Sequence, residues 1–171
     1  MCGVDMRKVV AVCGVKNSGK TTLIEKMLGV LSERGIQTAV IKHDGHDFSC
    51  DVPGTDSYRF TNAGAYGAAV YSDHRIFVHK MGTQDREQQL IAMFPEAELI
   101  LLEGMKDSAY RKIEVIRRQI SDVPVSNPQG RFLIVTDWGS DRFMEETADI
   151  EDIEGIVDRL LQEVGYGGNT I

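Results

Sequence analysis

Apolar residues in this chain fall into short continuous runs that alternate with segments of helical spacing. Val9–Val12, Leu99–Leu102 and Phe132–Val135 are uninterrupted apolar runs, as expected for strands buried on both faces of a parallel sheet. Apolar residues recur on one face from Lys20 to Arg34, which predicts an amphipathic helix there. Gly35 follows at the position where helix C-termini favour glycine.

The same reading predicts a strand–helix alternation along the rest of the chain. Further strands are predicted at Thr38–Ile41, Gly67–Tyr71, Arg75–His79 and Ile113–Ile116, and further helices at Asp56–Ala63, Gln84–Phe94 and Ile150–Leu161. A strand, a helix and a strand at the start form a βαβ unit, which requires parallel strands and a right-handed crossover. We therefore predict a single α/β domain over residues 1–171, with a mostly parallel sheet, helices on both faces and a flexible tail at 165–171.

The segment between the first strand and the first helix has the sequence GVKNSGKT and matches the pattern GxxxxGK[ST]. In such a loop, glycines let backbone N–H groups surround a phosphate at the positive end of the helix dipole. The lysine then reaches the β- and γ-phosphates, and the threonine hydroxyl binds Mg²⁺. The sequence therefore predicts a P-loop nucleoside triphosphatase fold. The residues predicted to hold the nucleotide are Gly14, Val15, Lys16, Asn17, Ser18, Gly19, Lys20, Thr21 and Thr22.

Charged residues follow two of the predicted strands, at the sheet edge where ligands of α/β proteins bind. Lys42 is placed to neutralise charge on the γ-phosphate, and Glu103 is placed to bind Mg²⁺ together with the loop threonine. A second carboxylate ligand is expected from Asp47, Asp51 or Asp56, with Asp56 preferred. Asp56 is also suited to capping the helix that begins beside it.

The polar stretch after the second strand permits another interpretation. His43, His46 and Cys50 are residue types that bind Zn²⁺, and a fourth ligand would have to come from Asp47 or Asp51. The alternative is that they are ordinary polar residues of a loop that faces the phosphates.

A base-recognising residue is a further candidate. Asp137 follows the apolar run Phe132–Val135, where guanine-binding P-loop proteins often carry an aspartate. A carboxylate suits the two ring-side N–H donors of guanine. The full N-K-x-D pattern is absent, so Asp137 is a hypothesis based on position.

Composition restricts the classes of partner. The net charge of −7 argues against broad binding to nucleic acid or to acidic membranes. No apolar stretch approaches the roughly 20 residues of a membrane-spanning helix. Three widely spaced cysteines do not suggest a disulfide framework. We expect a cytoplasmic protein with free thiols.

Three parts of the chain together resemble the MobB family. They are Gly14–Leu23, then Lys42–Arg59 continued by Ala63–Ala65, then Leu101–Lys106. The first part is common to many P-loop proteins. The string KHxxHDF followed by DxPGxDSxR, together with LEGxK, is more specific.

The resemblance implies a GTP-binding protein with weak GTPase activity and bound Mg²⁺. It also implies a homodimer formed partly by strand exchange. Such a protein acts as an adaptor for the molybdenum cofactor guanylyltransferase, which joins GMP to molybdopterin, and molybdopterin itself is a further candidate ligand. Lys42 and Asp56 match positions that serve the phosphates and Mg²⁺ in dethiobiotin synthetase-like enzymes, and Lys106 matches a position near the substrate.

During hydrolysis, the resemblance and the loop motif assign charge neutralisation to Lys16, Lys20 and Lys42. Lys16 also matches a lysine that reaches the partner subunit's nucleotide in the nitrogenase iron-protein group. The basic segment Arg111–Arg118 is the candidate for dimer or partner contact. Two alternatives remain: a P-loop small-molecule kinase or ligase of the dethiobiotin synthetase type, and a non-catalytic scaffold that uses nucleotide only to set its shape.

Overall fold

A computed structural model describes residues 8–44, 48–81 and 86–166 of the chain. The helices and strands are β1 (Val9–Cys13), α1 (Lys20–Glu33), β2 (Thr38–Lys42), α2 (Asp56–Asn62), β3 (Gly67–Tyr71), β4 (Ile76–Lys80), α3 (Arg86–Ala92), β5 (Leu99–Glu103), β6 (Arg111–Ile116), β7 (Arg131–Thr136), a 3₁₀ helix (Ser140–Arg142), β8 (Thr147–Asp149) and α4 (Ile153–Glu163). In this described part, no helix has the length and apolar character needed to span a membrane.

The chain folds as two compact units. The first comprises the residues up to 43 together with those from 90 onward, and the second comprises residues 44–89. The first unit contains the six-stranded sheet, and the second contains a two-stranded sheet.

The first unit is built on a sheet with the strand order β2-β5-β1-β6-β7-β8, in which every neighbouring pair is parallel. All residues of β1 and β5 are buried, which explains the apolar runs Val9–Val12 and Leu99–Leu102. The central strand β1 lies between β5 and β6, so the loop that follows β1 emerges at the middle of the carboxyl edge.

Helices cover both faces of this sheet, as predicted. Val10 and Val12 of β1 point to one face, where they pack in the same core as apolar residues of α1 and α4. Ala11 and Cys13 alternate to the other face and pack in a core with Ile91 of α3. The α/β class with a parallel sheet between helical layers is therefore confirmed.

Most predicted elements are present, with ends that shift by one to three residues. Helix α1 ends at Glu33, and Gly35 has a φ of 73°, which is the left-handed conformation expected just past a helix end. The last helix begins at Ile153 rather than Ile150, because Asp152 caps it by accepting the N–H of Gly155. The short edge strand β8 and the 3₁₀ helix had no counterpart in the sequence prediction.

The second unit contains α2 and the antiparallel hairpin β3–β4, which pairs Gly67 with Lys80 and Tyr71 with Ile76. Several apolar side chains of the hairpin are exposed, among them Val70 at 50%, Tyr71 at 82% and Ile76 at 77%. A two-stranded sheet of this kind is marginally stable alone, so its exposed apolar surface is a feature that needs a partner.

Candidate functional site

The loop after β1 has the backbone geometry of an anion-binding site. Gly14, Asn17 and Gly19 all have positive φ values, of 138°, 64° and 93°. Gly19 is the N-cap of α1 and provides no side-chain cap, and the first turn of α1 carries no acidic residue. The N–H groups at this helix N-terminus and the positive end of its dipole are therefore available to an anion.

Gly14 is required by close packing as well as by its φ angle. A Cβ atom at this position would lie 2.5 Å from the carbonyl oxygen of Val115 on β6 and 2.7 Å from Oγ of Ser18. The Ser18 side chain is fully buried, and its hydroxyl has no hydrogen-bond partner among the described residues. Since a buried hydroxyl without a partner is costly, this atom suits a ligand that binds against the loop.

The loop lysine is folded back onto the loop itself. Lys20 Nζ donates to the carbonyl oxygens of Gly14 at 3.1 Å and Val15 at 2.8 Å. Burial lowers the pKa of Lys20, and the nearby Glu103 carboxylate opposes that shift. The ammonium group is therefore held where the loop surrounds a phosphate. Lys16 is exposed on the same loop.

The predicted metal ligands of the first unit come together beside the loop. The hydroxyl of Thr21 donates to the Glu103 carboxylate, with distances of 3.0 and 3.1 Å to its two oxygens. Lys42 Nζ lies 3.2 Å from Glu103 Oε1, and the Glu103 side chain is only 10% exposed. The ends of β2 and β5 and the start of α1 thus place a hydroxyl, a carboxylate and an ammonium in contact. The two oxygen donors have the chemistry that Mg²⁺ prefers, and the lysine suits a phosphate.

The turn that follows Glu103 is strained. Gly104 and Met105 have consecutive positive φ values of 105° and 57°, and the second is unusual for a side chain of this size. The Cys13 thiol donates to the Gly104 carbonyl oxygen at 2.8 Å, which ties this turn to the end of β1. Burial raises the pKa of that thiol to about 12, so Cys13 is an inert structural residue.

The other predicted metal ligands lie in the second unit or outside the described residues. Asp56 is the first residue of α2, is exposed, and forms an ion pair with Arg59 at 3.3 Å. Asp51 Oδ1 accepts hydrogen bonds from the N–H of Val52 and the hydroxyls of Thr55 and Ser57, so it organises the start of α2. The carboxylate at position 47 lies outside the described residues, and the choice of a second ligand stays a prediction.

The zinc interpretation receives no support from the described part of the chain. His46 lies outside the described residues, and Cys50 is an exposed free thiol. Within residues 8–44, 48–81 and 86–166, no group of three or more His, Cys, Asp and Glu side chains is arranged to hold a metal.

Asp137 lies at the end of β7, as predicted, but its carboxylate already has partners. Oδ1 accepts the backbone N–H of Arg118 at 2.6 Å, and Oδ2 lies 3.9 Å from Nε of Arg117. The neighbouring Trp138 ring has the guanidinium carbons of Arg118 and Arg142 at 4.8 and 4.0 Å from its centre. The sequence prediction missed this arginine–tryptophan cluster, although Trp138 is the one tryptophan of the chain.

The prediction that Arg111–Arg118 forms a contact surface is wrong for most of that segment. Residues 111–116 form β6, which is paired on both sides by β1 and β7 and is almost entirely buried. Lys112 is fully buried on this strand. Its Nζ donates to the carbonyl oxygens of Ser108, Asn127 and Gln129 at 2.6, 3.2 and 2.8 Å.

Glu114 is the second buried charge of β6 and holds the loop over residues 117–130. Its carboxylate accepts the N–H groups of Val125 and Ser126 and the Ser126 hydroxyl, at 2.5, 3.1 and 2.6 Å. Arg131 Nη1 completes the set at 3.2 Å. The alternation of Lys112 and Glu114 in the strand was the sequence signal for two polar side chains on one sheet face.

Comparison with known proteins assigns the family. The family model described as "MobB: Molybdopterin guanine dinucleotide synthesis protein B" matches residues 9–137, from the first residue of β1 to Asp137. The chain belongs to the MobB family. The match contains the phosphate loop, the Lys42 and Glu103 strand ends and the whole second unit.

Individual relatives agree with this assignment. The molybdopterin-guanine dinucleotide biosynthesis adapter protein of Escherichia coli (strain K12) is 30% identical over 168 residues, which are 95% of this chain and 96% of that protein. A probable adapter protein of the same kind from Bacillus subtilis (strain 168) is 32% identical over 63% of this chain and 64% of its own length. The crystal structure of Bacillus subtilis MobB has a TM-score of 0.74 at 26% identity and covers 91% of this chain and 97% of that one. This MobB chain therefore has the P-loop nucleoside triphosphatase fold.

Proposed function

We propose that this chain is a GTP-binding adapter that assists the attachment of GMP to molybdopterin during synthesis of molybdopterin guanine dinucleotide. Its membership of the MobB family supports a role in this pathway. Nucleotide binding is supported by one observation: a glycine-rich loop brings together the side chains of Lys20, Thr21, Lys42 and Glu103. No other arrangement within the described residues combines a phosphate cradle with a carboxylate–hydroxyl pair.

In this proposal, each residue of the loop has a role that its position supports. Backbone N–H groups of Gly14–Thr22 bind the phosphates, and Lys20 leaves its two carbonyl partners to contact the β- and γ-phosphates. Thr21 and Glu103 would hold Mg²⁺, which would offset the charge on the phosphate oxygens, and Asp56 stays the preferred candidate for a second carboxylate ligand. Lys42 neutralises the γ-phosphate.

The proposed GTPase activity is weak. Water attacks the γ-phosphorus in line, the bond to the β–γ bridging oxygen breaks, and GDP and phosphate leave. Lys16, Lys20 and Lys42 offset the charge that develops on the phosphate oxygens. Glu103, the carboxylate beside the loop in the first unit, is already bonded to Thr21 and Lys42 and is therefore poorly suited to act as a general base. This fits slow turnover and an adapter whose state depends on the nucleotide.

The proposed partners are a second copy of the chain and the molybdenum cofactor guanylyltransferase, with molybdopterin as a further ligand. The exposed apolar hairpin of the second unit supports the homodimer, because burying Tyr71 and Ile76 would stabilise a sheet that is marginal alone. Ile76→Asp should convert the dimer to monomer in sedimentation velocity, whereas Met144→Asp, at a fully exposed site of the first unit, should leave it intact. A dimer that survives Ile76→Asp would contradict this interface.

We place the protein in the cytoplasm, consistent with the free thiols of Cys13 and Cys50.

The proposed function is tested by reconstitution with the guanylyltransferase, GTP and molybdopterin. Wild-type protein should increase dinucleotide formation, and Lys20→Ala should remove that increase. Lys26→Ala is the matched control, since Lys26 lies on the same helix but forms an exposed ion pair with Glu151. An unchanged effect of the Lys20 variant would contradict the proposal. Turnover that instead requires ATP and a second small molecule would favour the kinase or ligase alternative.

A further inference from the structure

The strand order limits where the nucleoside of a bound triphosphate can extend. Lys42 and Glu103 lie on one side of the phosphate loop, at the ends of β2 and β5, and Thr21 at the start of α1 contacts Glu103. These groups serve the γ-phosphate and the metal, so the opposite end of the nucleotide extends across the other side of β1. That side is formed by the carboxyl ends of β6 and β7, where α/β proteins bind ligands. This step rests on the proposed function.

The side chains at those two strand ends form a compact cluster. Arg117 and Arg118 follow β6, and Asp137 and Trp138 follow β7. Asp137 uses Oδ1 to accept the Arg118 N–H, so it joins the two strand ends. A base that used this carboxylate for its own N–H donors would have to compete with an existing 2.6 Å hydrogen bond.

Trp138 is held in one orientation by its surroundings. Its indole Nε1 donates to the Ser121 carbonyl oxygen at 3.3 Å, and its backbone N–H donates to the Thr136 hydroxyl at 3.1 Å. Arg142 lies 4.0 Å from the ring centre, and its guanidinium also reaches the Asp122 carbonyl oxygen at 3.3 Å. The ring is therefore a fixed surface for cation–π contact.

Arg118 differs from Arg142 in being free to bind a ligand. It is exposed, its guanidinium carbon lies 4.8 Å from the Trp138 ring centre, and it has no carboxylate partner within the described part of the chain. Its guanidinium can donate two parallel hydrogen bonds and can also stack on a flat ring system. These are the properties of a residue that recognises a base.

We propose that Arg118, supported by Trp138, determines the preference of this protein for a guanine base. Guanine offers two adjacent acceptors, O6 and N7, to a guanidinium fork. Adenine presents an N6 donor in place of O6 and cannot accept the same pair. Asp137 is a positioning residue, which fixes the backbone of Arg118 and does not contact the base.

The first test compares substitutions by calorimetry with Mg²⁺ and non-hydrolysable GTP and ATP analogues. Arg118→Ala should weaken GTP-analogue binding about 5–150-fold, the equivalent of one bidentate base contact, and leave the ATP analogue and inorganic tripolyphosphate unchanged. Arg142→Ala, which removes the other cation from the same ring, should preserve the preference. Asp137→Asn should also preserve it, because the amide oxygen can still accept the Arg118 N–H. Loss of the preference in Asp137→Asn but not in Arg118→Ala would overturn the proposal.

The second test uses Trp138 fluorescence, which is specific to this site because the chain has one tryptophan. The GTP analogue should change the Trp138 emission, whereas Mg²⁺ with tripolyphosphate should bind the loop without changing it. Calorimetric binding of the GTP analogue with unchanged emission would overturn this inference and leave the proposed function standing. Absence of binding by calorimetry would overturn both.

Discussion

Glu114 provides the sharpest energetic prediction because its carboxylate is buried and bonded on all sides. The side chain is 1% exposed and accepts hydrogen bonds from Val125, Ser126 and Arg131. Glu114→Ala leaves these donors without their acceptor at about 1–3 kcal/mol for each unsatisfied group, and water that enters the vacated space recovers part of the loss. Removing one partner of a buried ion pair costs about 3–5 kcal/mol, and we expect a loss of stability of that size.

For a chain of this length, the expected loss corresponds to a melting temperature lowered by about 6–20 °C. Urea unfolding followed by Trp138 emission measures the stability of the first unit directly, since Trp138 lies in that unit. Glu145→Ala is the control, because Glu145 contacts the same arginine, Arg131, but is 33% exposed and should contribute about 1 kcal/mol or less. A loss below about 1 kcal/mol for Glu114→Ala, with native Trp138 emission, would refute the view that this carboxylate holds the 117–130 loop.

Three further predictions concern thiol reactivity, proton uptake and loop geometry. For the first prediction, the third cysteine of the chain is replaced by serine, so that only Cys13 and Cys50 can react. At neutral pH a thiol reagent should modify the exposed Cys50 at once. It should modify Cys13 only after unfolding, because burial raises the pKa of that thiol to about 12. Burial lowers the pKa of Lys20 in the free protein, and we expect the negative charge of a bound triphosphate to raise it. At a pH between these two pKa values, nucleotide binding should therefore be accompanied by uptake of one proton. The affinity for nucleotide should fall as the pH rises through that range. Calorimetry in buffers of different ionisation enthalpy should show that uptake in wild type and not in Lys20→Ala. Gly14→Ala should abolish nucleotide binding in the same calorimetric titration, since its Cβ would lie 2.5 Å from a carbonyl oxygen of β6. Gly29→Ala is the control, because a Cβ at that position in α1 would meet no atom within 4 Å. It should raise the free energy of unfolding in urea by about 0.5–1 kcal/mol.

The phosphate loop and its flanking elements could be predicted because their determinants are local. The apolar run of β1, the glycines of the loop and the apolar face of α1 are contiguous in the sequence. The carboxyl ends of parallel strands meet at one edge, which was enough to expect Lys42 and Glu103 near the loop. The two side chains are in direct contact beside the loop, and their roles toward nucleotide and metal stay predictions.

The buried charges of β6 could not be predicted from local patterns. Lys112 and Glu114 resembled exposed strand residues, because most of the groups that satisfy them come from the 106–110 and 117–130 loops, together with Arg131 of β7. Irregular loops carry no periodic signal, so their hydrogen-bonding groups cannot be assigned to a buried side chain in advance. The same reason explains why the contact between Asp137 and the Arg118 backbone was not foreseen.

The second unit shows a different limit. The sequence predicted its helix and its two strands, yet it gave no sign that Val70, Tyr71 and Ile76 would be exposed. A run of apolar residues in a strand indicates that the strand is covered but does not say whether the covering surface belongs to the same chain. The role of Asp56 depends on the same missing information and stays a proposal.

The central claim is that Gly14–Thr22 binds a guanine nucleotide with Mg²⁺. Calorimetric titration of the wild-type protein with non-hydrolysable GTP and ATP analogues tests it most directly, with Lys20→Ala as the loop variant and Lys26→Ala as the control. We predict that the GTP analogue binds about tenfold more tightly than the ATP analogue or better. Lys20→Ala should weaken that binding about 10–150-fold, the value of charge-assisted contacts worth about 1.5–3 kcal/mol. Preference for ATP, or equal binding by wild type and Lys20→Ala, would contradict the account.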